Sequence, residues 1–387
     1  MFVGRTGSKV MGVVASAALT GFGLLAGSAA AAAPSATPAA QTWQVTVGAQ
    51  SAHGAIQTMG FYPSQITIDQ GDSITWTANS AEPHTVTFLS TASPCPDTAL
   101  CALPQTGFDL GSPAQSTPQG GTSYDGTSYF NSGVMTTAQP GPTLPFPPSV
   151  PLIHSYTLAF PATLAPGSYT YYCLVHGQAM VGTVVVQAAG TAYPATQAQI
   201  DAVNATQIRA DIHSGDALRA QARQQDRKLS TGRHPVILAG LMNDRAMLMR
   251  FVGPANPVNV GDRLTFRVAS MGEPHTVTFG NPGTGCGAPP CNPEQSWNTT
   301  PTAHGNLQAR YPAHNGQFTG SARSLNSGIM LGLPASLTHL PQSLSIHFTK
   351  AGTYGYICAL HAYFGMVGTV HVHPRPHHHK HHHHKHH

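Results

Sequence analysis

Charge is scarce in this sequence: only 8% of its 387 residues are Asp, Glu, Lys or Arg. Helical bundles need charged outer faces, so the shortage argues against them, while a hydrophobic content of 41% argues against general disorder. The formal net charge is only +4, with several positive charges at the two chain ends, so no basic groove for nucleic acid is expected. Long apolar runs are scarce too. Residues 10–25 form one, behind Arg5 and Lys9 and ahead of an alanine run at 29–33. This reads as a secretory signal over residues 1–33 rather than a membrane anchor, because the run is short and rich in Gly and Ala. No second apolar segment of spanning length follows, so the mature chain is expected to lack a transmembrane span. It is expected to be secreted or periplasmic, in an oxidising compartment.

What the chain has in abundance is turn formers, 40 Gly and 32 Pro, as suits turn-rich β-structure. Six cysteines fall into a pattern. Cys95 and Cys101 lie close together, as do Cys286 and Cys291, each pair in a Pro- or Gly-flanked loop that a disulfide would close. Cys173 and Cys358 remain, each near a histidine. A third disulfide between these two is the alternative to a site, but each lies in its own copy of a repeated motif.

Three blocks occur twice in one order. Glu82-Pro83-His84-Thr85-Val86-Thr87-Phe88 is matched by Glu273-Pro274-His275-Thr276-Val277-Thr278-Phe279. Asn131-Ser132-Gly133-Val134-Met135 is matched by Asn326-Ser327-Gly328-Ile329-Met330. Residues 167–184 are matched by 352–370, including Cys173/Cys358, His176/His361, Met180/Met366 and a shared Met-Val-Gly-Thr-Val. Such order signals duplication. Each copy reads as short strands with period-two alternation, for example Ile66 to Ile68, a Gly71-Asp72 turn, then Ser73 to Trp76. The expected fold is all-β: two Greek-key β-sandwich domains, 41–188 and 235–374, joined by a mainly helical linker, 189–234. Within the linker, Ile200, Val203, Ile208 and Ile212 fall near helical spacing, and a break is expected near Gly215. The stretch from about Ser90 to Pro151 reads as a disulfide-pinned excursion outside the core.

Cys173, His176 and Met180 place a thiolate, an imidazole and a thioether on one short loop, and His84 offers a fourth donor from a distant strand. Two His, one Cys and a weak axial Met match a blue-copper site, where soft sulfur suits Cu(I) and imidazole suits Cu(II). Structural zinc prefers four strong ligands, and Met is a poor one. His275, Cys358, His361 and Met366 repeat the set, which gives two coppers per chain. Met135 and Met330 read as packing.

These motifs resemble two copies of the plastocyanin/azurin type of cupredoxin, over roughly 41–187 and 235–372. The shared marks are an early Pro-His, then Cys-x-x-His, a nearby Met and a terminal Gly-Thr-Val strand. The resemblance implies a sandwich with copper near one end and one-electron transfer through a partly exposed loop histidine, here His176 and His361. The apolar residues around these histidines are candidates for a docking face, with core packing an equal explanation for some: Leu174, Val175 and Ala179 in one copy, Leu360, Tyr363 and Phe364 in the other. Two departures stand out. Thr85 and Thr276 occupy a position that is often Asn in that family. Three residues separate His176 from Met180 but four separate His361 from Met366, so unequal coppers are expected.

The last eleven residues hold nine histidines, broken by Lys380 and Lys385, unlike an unbroken affinity tag. The tail, 375–387, reads as a loose metal collector. The expected function is an exported electron carrier acting with a redox partner protein. The alternative is extracytoplasmic copper buffering or delivery with a copper-handling partner. A copper oxidase is disfavoured: no His flanks either Cys directly, and the His-x-His at His371 and His373 has no counterpart in the first copy.

Overall fold

The computed structural model describes residues 39–104, 108–109, 111–139, 149–279, 317–318, 325–334 and 340–375. The signal segment 1–33, Cys286, Cys291 and all but the first residue of the tail lie outside the described residues.

Period-two burial appears where the sequence alternates. In Ser73–Ala78 the inward residues are Ile74, Trp76 and Ala78; in Arg263–Val268 they are Leu264, Phe266 and Val268. These strands belong to one nine-stranded sheet that runs through both halves of the chain. Its order from one edge is Ser155–Ala159, Ser73–Ala78, Thr42–Gln50, Ile56–Tyr62, Ala246–Val252, Val236–Met242, Arg263–Val268, Ser343–Phe348 and Gln317–Phe318. The halves meet where Ile56–Tyr62 pairs antiparallel with Ala246–Val252, in the register Thr58 to Ala246, Gln57 to Met247 and Ile56 to Leu248. On either side of this seam the pairings repeat: antiparallel, then parallel, then antiparallel.

Each half packs a five-stranded sheet against its share of the large one. In the first the order is Gln65–Asp69, Gly177–Gln187, Gly167–Cys173, Thr87–Phe88 and Phe130–Asn131. In the second it is Val258–Asn259, Val367–His373, Gly352–Ile357, Thr278–Phe279 and Leu325–Asn326. Trp76 centres the first core among Phe88, Tyr156, Phe160 and Tyr171, and Phe266 centres the second among Phe251, Phe279 and Tyr356. The two halves fall within one compact unit.

One long helix, Gln197–Leu229, joins the halves. Thr196 and Gln199 form a capping box that satisfies two otherwise orphan donors at its start. The expected break near Gly215 is absent. Gly215 is there for close approach, since a Cβ on it would collide with Ile56. The apolar stripe is also not the one expected, because Val203 is 68% exposed. The buried face is Asn204, Asp211, Gly215, Leu218, Ala222 and Asp226. Small and hydrogen-bonded residues let the helix lie close over the seam, where Asp211 accepts from the Tyr62 hydroxyl at 2.8 Å. This explains why Ile56–Tyr62 and Val236–Met242 are buried on both faces: one faces the core, the other the helix.

Cys95 and Cys101 form a disulfide, while Cys173 and Cys358 are both free and buried. The stretch after Ser90 is not wholly an excursion. Tyr124, Phe130 and Met135 enter the first core, and Met135 lies opposite His84.

Candidate metal centres

His84 is held by its backbone first. Its N–H donates to Met135 at 2.9 Å and its carbonyl accepts from Met135 at 2.8 Å; His275 and Met330 repeat the bridge at 2.9 and 2.8 Å. Met135 and Met330 thus serve the centres through their main chains while their side chains pack in the cores. Each His ring occupies space left by a glycine. Gly48 and Gly240 sit at bulges in Thr42–Gln50 and Val236–Met242, at φ +63° and +67°. A Cβ on either would collide with the ring of His84 or His275.

Three donors converge in each half. In the first, Cys173 Sγ lies 3.4 Å from His176 Nδ1 and 3.8 Å from His84 Nδ1. In the second, Cys358 Sγ lies 3.4 Å from His361 Nδ1 and 3.9 Å from His275 Nδ1, and the two Nδ1 atoms are 3.1 Å apart. Metal–ligand bonds of about 2.0–2.3 Å around a trigonal ion place the donors roughly 3.5–3.7 Å apart, so both triads fit an ion with small adjustments. Met180 and Met366 are 1% and 0% exposed and lie in the same core clusters as their cysteines.

The threonines do the work expected of another residue. Thr85 Oγ1 accepts from Leu174 N–H at 2.8 Å and Thr276 Oγ1 from Ala359 N–H at 2.6 Å, which ties each ligand loop to the strand carrying the upstream His. The Thr85 and Thr276 amides also donate to Cys173 Sγ at 3.4 Å and Cys358 Sγ at 3.3 Å. The extra residue in the second loop is taken up by a 3₁₀ turn, Ala362–Phe364, ended by Gly365 at φ +75°.

The loop histidines are not exposed. The side chains of His176 and His361 are only 2% and 6% accessible. Their outer edges face the seam between the halves, each toward a buried glutamate. His361 Nε2 donates to Glu273 Oε1 at 2.8 Å; His176 Nε2 is 3.8 Å from Glu82 Oε1. The expected docking face is accordingly corrected. Phe364 is part of the first half's core cluster and Tyr363 packs against it, while Arg250 donates to the Phe364 carbonyl at 2.6 Å and to the His53 carbonyl at 3.0 Å. Leu174 is buried as well, and of the six residues only Ala179 is exposed.

Electrostatics separate the two centres. Burial pushes Cys173 up to about 11 and pulls His176 down to about 4, the latter against the opposing pull of Glu273. Burial would likewise raise Cys358, but the charge and hydrogen bonds of His361 and His275 carry it well below its ordinary range. His361 is raised well above its own by Cys358 and Glu273, against burial. The surroundings of the first centre thus favour a neutral thiol and neutral imidazoles, whereas those of the second favour a charged cysteine–histidine pair.

Sequence reasoning missed Glu82, Glu273, Gly48 and Gly240. The glutamates were visible in the repeated Glu-Pro-His block, and the glycines recur between apolar residues, Val47-Gly48-Ala49 and Ala239-Gly240-Leu241.

Residues 240–373 match the family of copper binding proteins described as the plastocyanin/azurin family. That segment contains His275, Cys358, His361 and Met366. It is similar to copper-binding domains of cupredoxin type. Among solved structures, an oxidised amicyanin variant is similar at 17% identity over 38% of this chain and 82% of amicyanin, with a TM-score of 0.21. A reduced Cu(I) form of another amicyanin variant is similar at 16% identity over the same shares, with a TM-score of 0.20. The superpositions are too weak to add to the strand topology. Among the described residues, no helix is long and apolar enough to cross a membrane.

Proposed function

We propose that this chain is an exported electron-transfer protein with two tandem cupredoxin domains, 41–188 and 235–374, each holding one mononuclear type 1 copper. The ligands are His84, Cys173, His176 and Met180 in the first domain, and His275, Cys358, His361 and Met366 in the second. One observation carries the reading: a cysteine sulfur and two imidazole Nδ1 atoms converge twice, in equivalent positions of two halves with the same strand order.

When bound, copper supplies a one-electron couple between Cu(I) and Cu(II). The chain supplies a cradle braced against large rearrangement. The upstream histidines are fixed by backbone bridges and glycine bulges, the loops by threonine hydroxyls, and each sulfur by an amide N–H. Apolar core surrounds both cysteines and excludes water. Because the loop histidines are buried, electrons do not leave through an exposed imidazole edge. The role is electron carriage rather than enzymatic turnover, and the partner is a redox protein outside the cytoplasm.

The test is visible absorption and EPR of the copper-loaded full chain beside Cys173→Ser and Cys358→Ser. An intense thiolate-to-Cu(II) band, halved by either substitution, is expected. Histidines of the tail contribute no such band. Ready exchange of this copper with a mild chelator favours the alternative, buffering or delivery outside the cytoplasm with the tail as collector.

A further inference from the structure

Two glutamates meet in the seam with histidines, and no Lys or Arg, as their ion-pair partners among the described residues. Glu82 and Glu273 are 1% and 4% exposed, and one oxygen of each lies within 4.8 Å of the other and of a nitrogen of His176. Among the described residues their ion pairs are to histidine alone, and no Lys or Arg reaches either. Two buried polar atoms here lack any hydrogen-bond partner: Glu82 Oε2 and His176 Nε2. Leaving such buried atoms unpaired is destabilising, more so where they carry charge.

We infer that Glu82, Glu273 and His176 Nε2 form a third metal site, for a divalent transition-metal ion of the zinc class, at the junction of the two halves. Each half contributes one glutamate, so the site exists only when the halves are docked. An O, O, N donor set without sulfur suits Zn(II) or Cu(II) and is poor for Cu(I), so the site differs in chemistry from the two cysteine centres. Three protein donors leave a fourth position open, and His361 orients one donor by its 2.8 Å hydrogen bond to Glu273. A divalent ion neutralises the two carboxylates, and any proton on them or on Nε2 leaves to solvent as the ion binds. The copper ligand atom of His176 is Nδ1, 3.4 Å from Cys173 Sγ, so its ring joins the two sites through opposite edges. The donors here do not depend on the copper assignment.

The full chain, copper-loaded, is dialysed against zinc buffered by a mild chelator, beside Glu82→Gln and the double variant Glu82→Gln/Glu273→Gln. Zinc held by the histidine tail is common to all three and cancels in the difference. The expected result is one more zinc per wild-type chain than per double variant, with zinc-edge anomalous scattering in wild-type crystals between Glu82 and Glu273. Equal zinc in wild type and variants, or anomalous signal only elsewhere, overturns the inference. The wild-type map decides the matter even if the variants fold poorly. The thiolate band of the same samples separates this outcome from the copper reading. A band without the zinc difference sinks the third site alone, and a zinc difference without the band sinks the copper centres alone.

Discussion

At the first centre the edge of the loop histidine stands 3.8 Å from Glu82, and its Nε2 has no hydrogen-bond partner; at the second, His361 donates to Glu273 at 2.8 Å. The upstream histidines differ in the opposite sense. His84 Nε2 is 3.0 Å from Ser80 Oγ, whereas Ser270 Oγ donates instead to the Glu273 carbonyl at 2.6 Å, and His275 Nε2 is left unpaired. The two centres therefore share their donors but swap which histidine is anchored. The two halves share the convergence of Sγ and Nδ1, while the surroundings that would tune a metal's potential differ.

The comparison can be broken most drastically at the glycines. Gly48→Ala or Gly240→Ala adds a Cβ into a His ring at positive φ, where strain costs on the order of 1–3 kcal/mol and overpacking about 1–3 kcal/mol more. Each variant should lose the copper of its own half while keeping the other, as read by metal content and denaturant unfolding.

A second expectation concerns the metal-free protein. Both cysteines are 0% exposed, so access does not separate them. The neighbouring His361 and His275 favour the thiolate of Cys358, whereas Cys173 stays protonated until pH approaches about 11. Mass-spectrometric alkylation at pH 7 should modify Cys358 at least roughly tenfold faster, with the gap narrowing as pH rises toward 11. Equal rates at pH 7 would remove the electrostatic difference between the centres.

Potentials should separate less sharply. In zinc-free protein, Glu273→Gln removes an acceptor from His361, a proposed copper ligand, and should destabilise the oxidised state. A charge-assisted hydrogen bond of about 1.5–3 kcal/mol sets the upper scale, so the second centre should rise by up to about 65–130 mV at 59 mV per tenfold. Glu82→Gln, with no hydrogen bond to lose, should shift the first centre by less. Smallest is the loop tie. Thr85→Ala strands the Leu174 N–H and breaks the chain to Thr87, 2.9 Å away, whereas the Thr276 to Thr278 spacing is already 3.4 Å. Thr85→Ala should cost about 1–2 kcal/mol in chemical unfolding, somewhat more than Thr276→Ala.

The converging donors were readable because Cys173 and His176 are local and His84 lies in a repeated block. The strands around Gly71 and Gly261 were readable for a like reason, since alternation is a local property. The seam was not. Whether Leu174 or Phe364 faces solvent or the other half depends on Ile56–Tyr62 finding Ala246–Val252 across nearly 200 residues, and edge pairing leaves no local signature. The helix misled for a related reason. Apolar spacing pointed to Val203, but the buried face relies on Gly215 for closeness and on Asp211 for a hydrogen bond, and neither registers as hydrophobic.

The most direct test of the central claim is copper titration of the full chain followed in the thiolate-to-Cu(II) band and by EPR, with Cys173→Ser, Cys358→Ser and the double variant alongside. The band should saturate with two type 1 coppers per chain, fall by half in each single variant and vanish in the double. A colourless copper-bound protein, or a band indifferent to both cysteines, would contradict it.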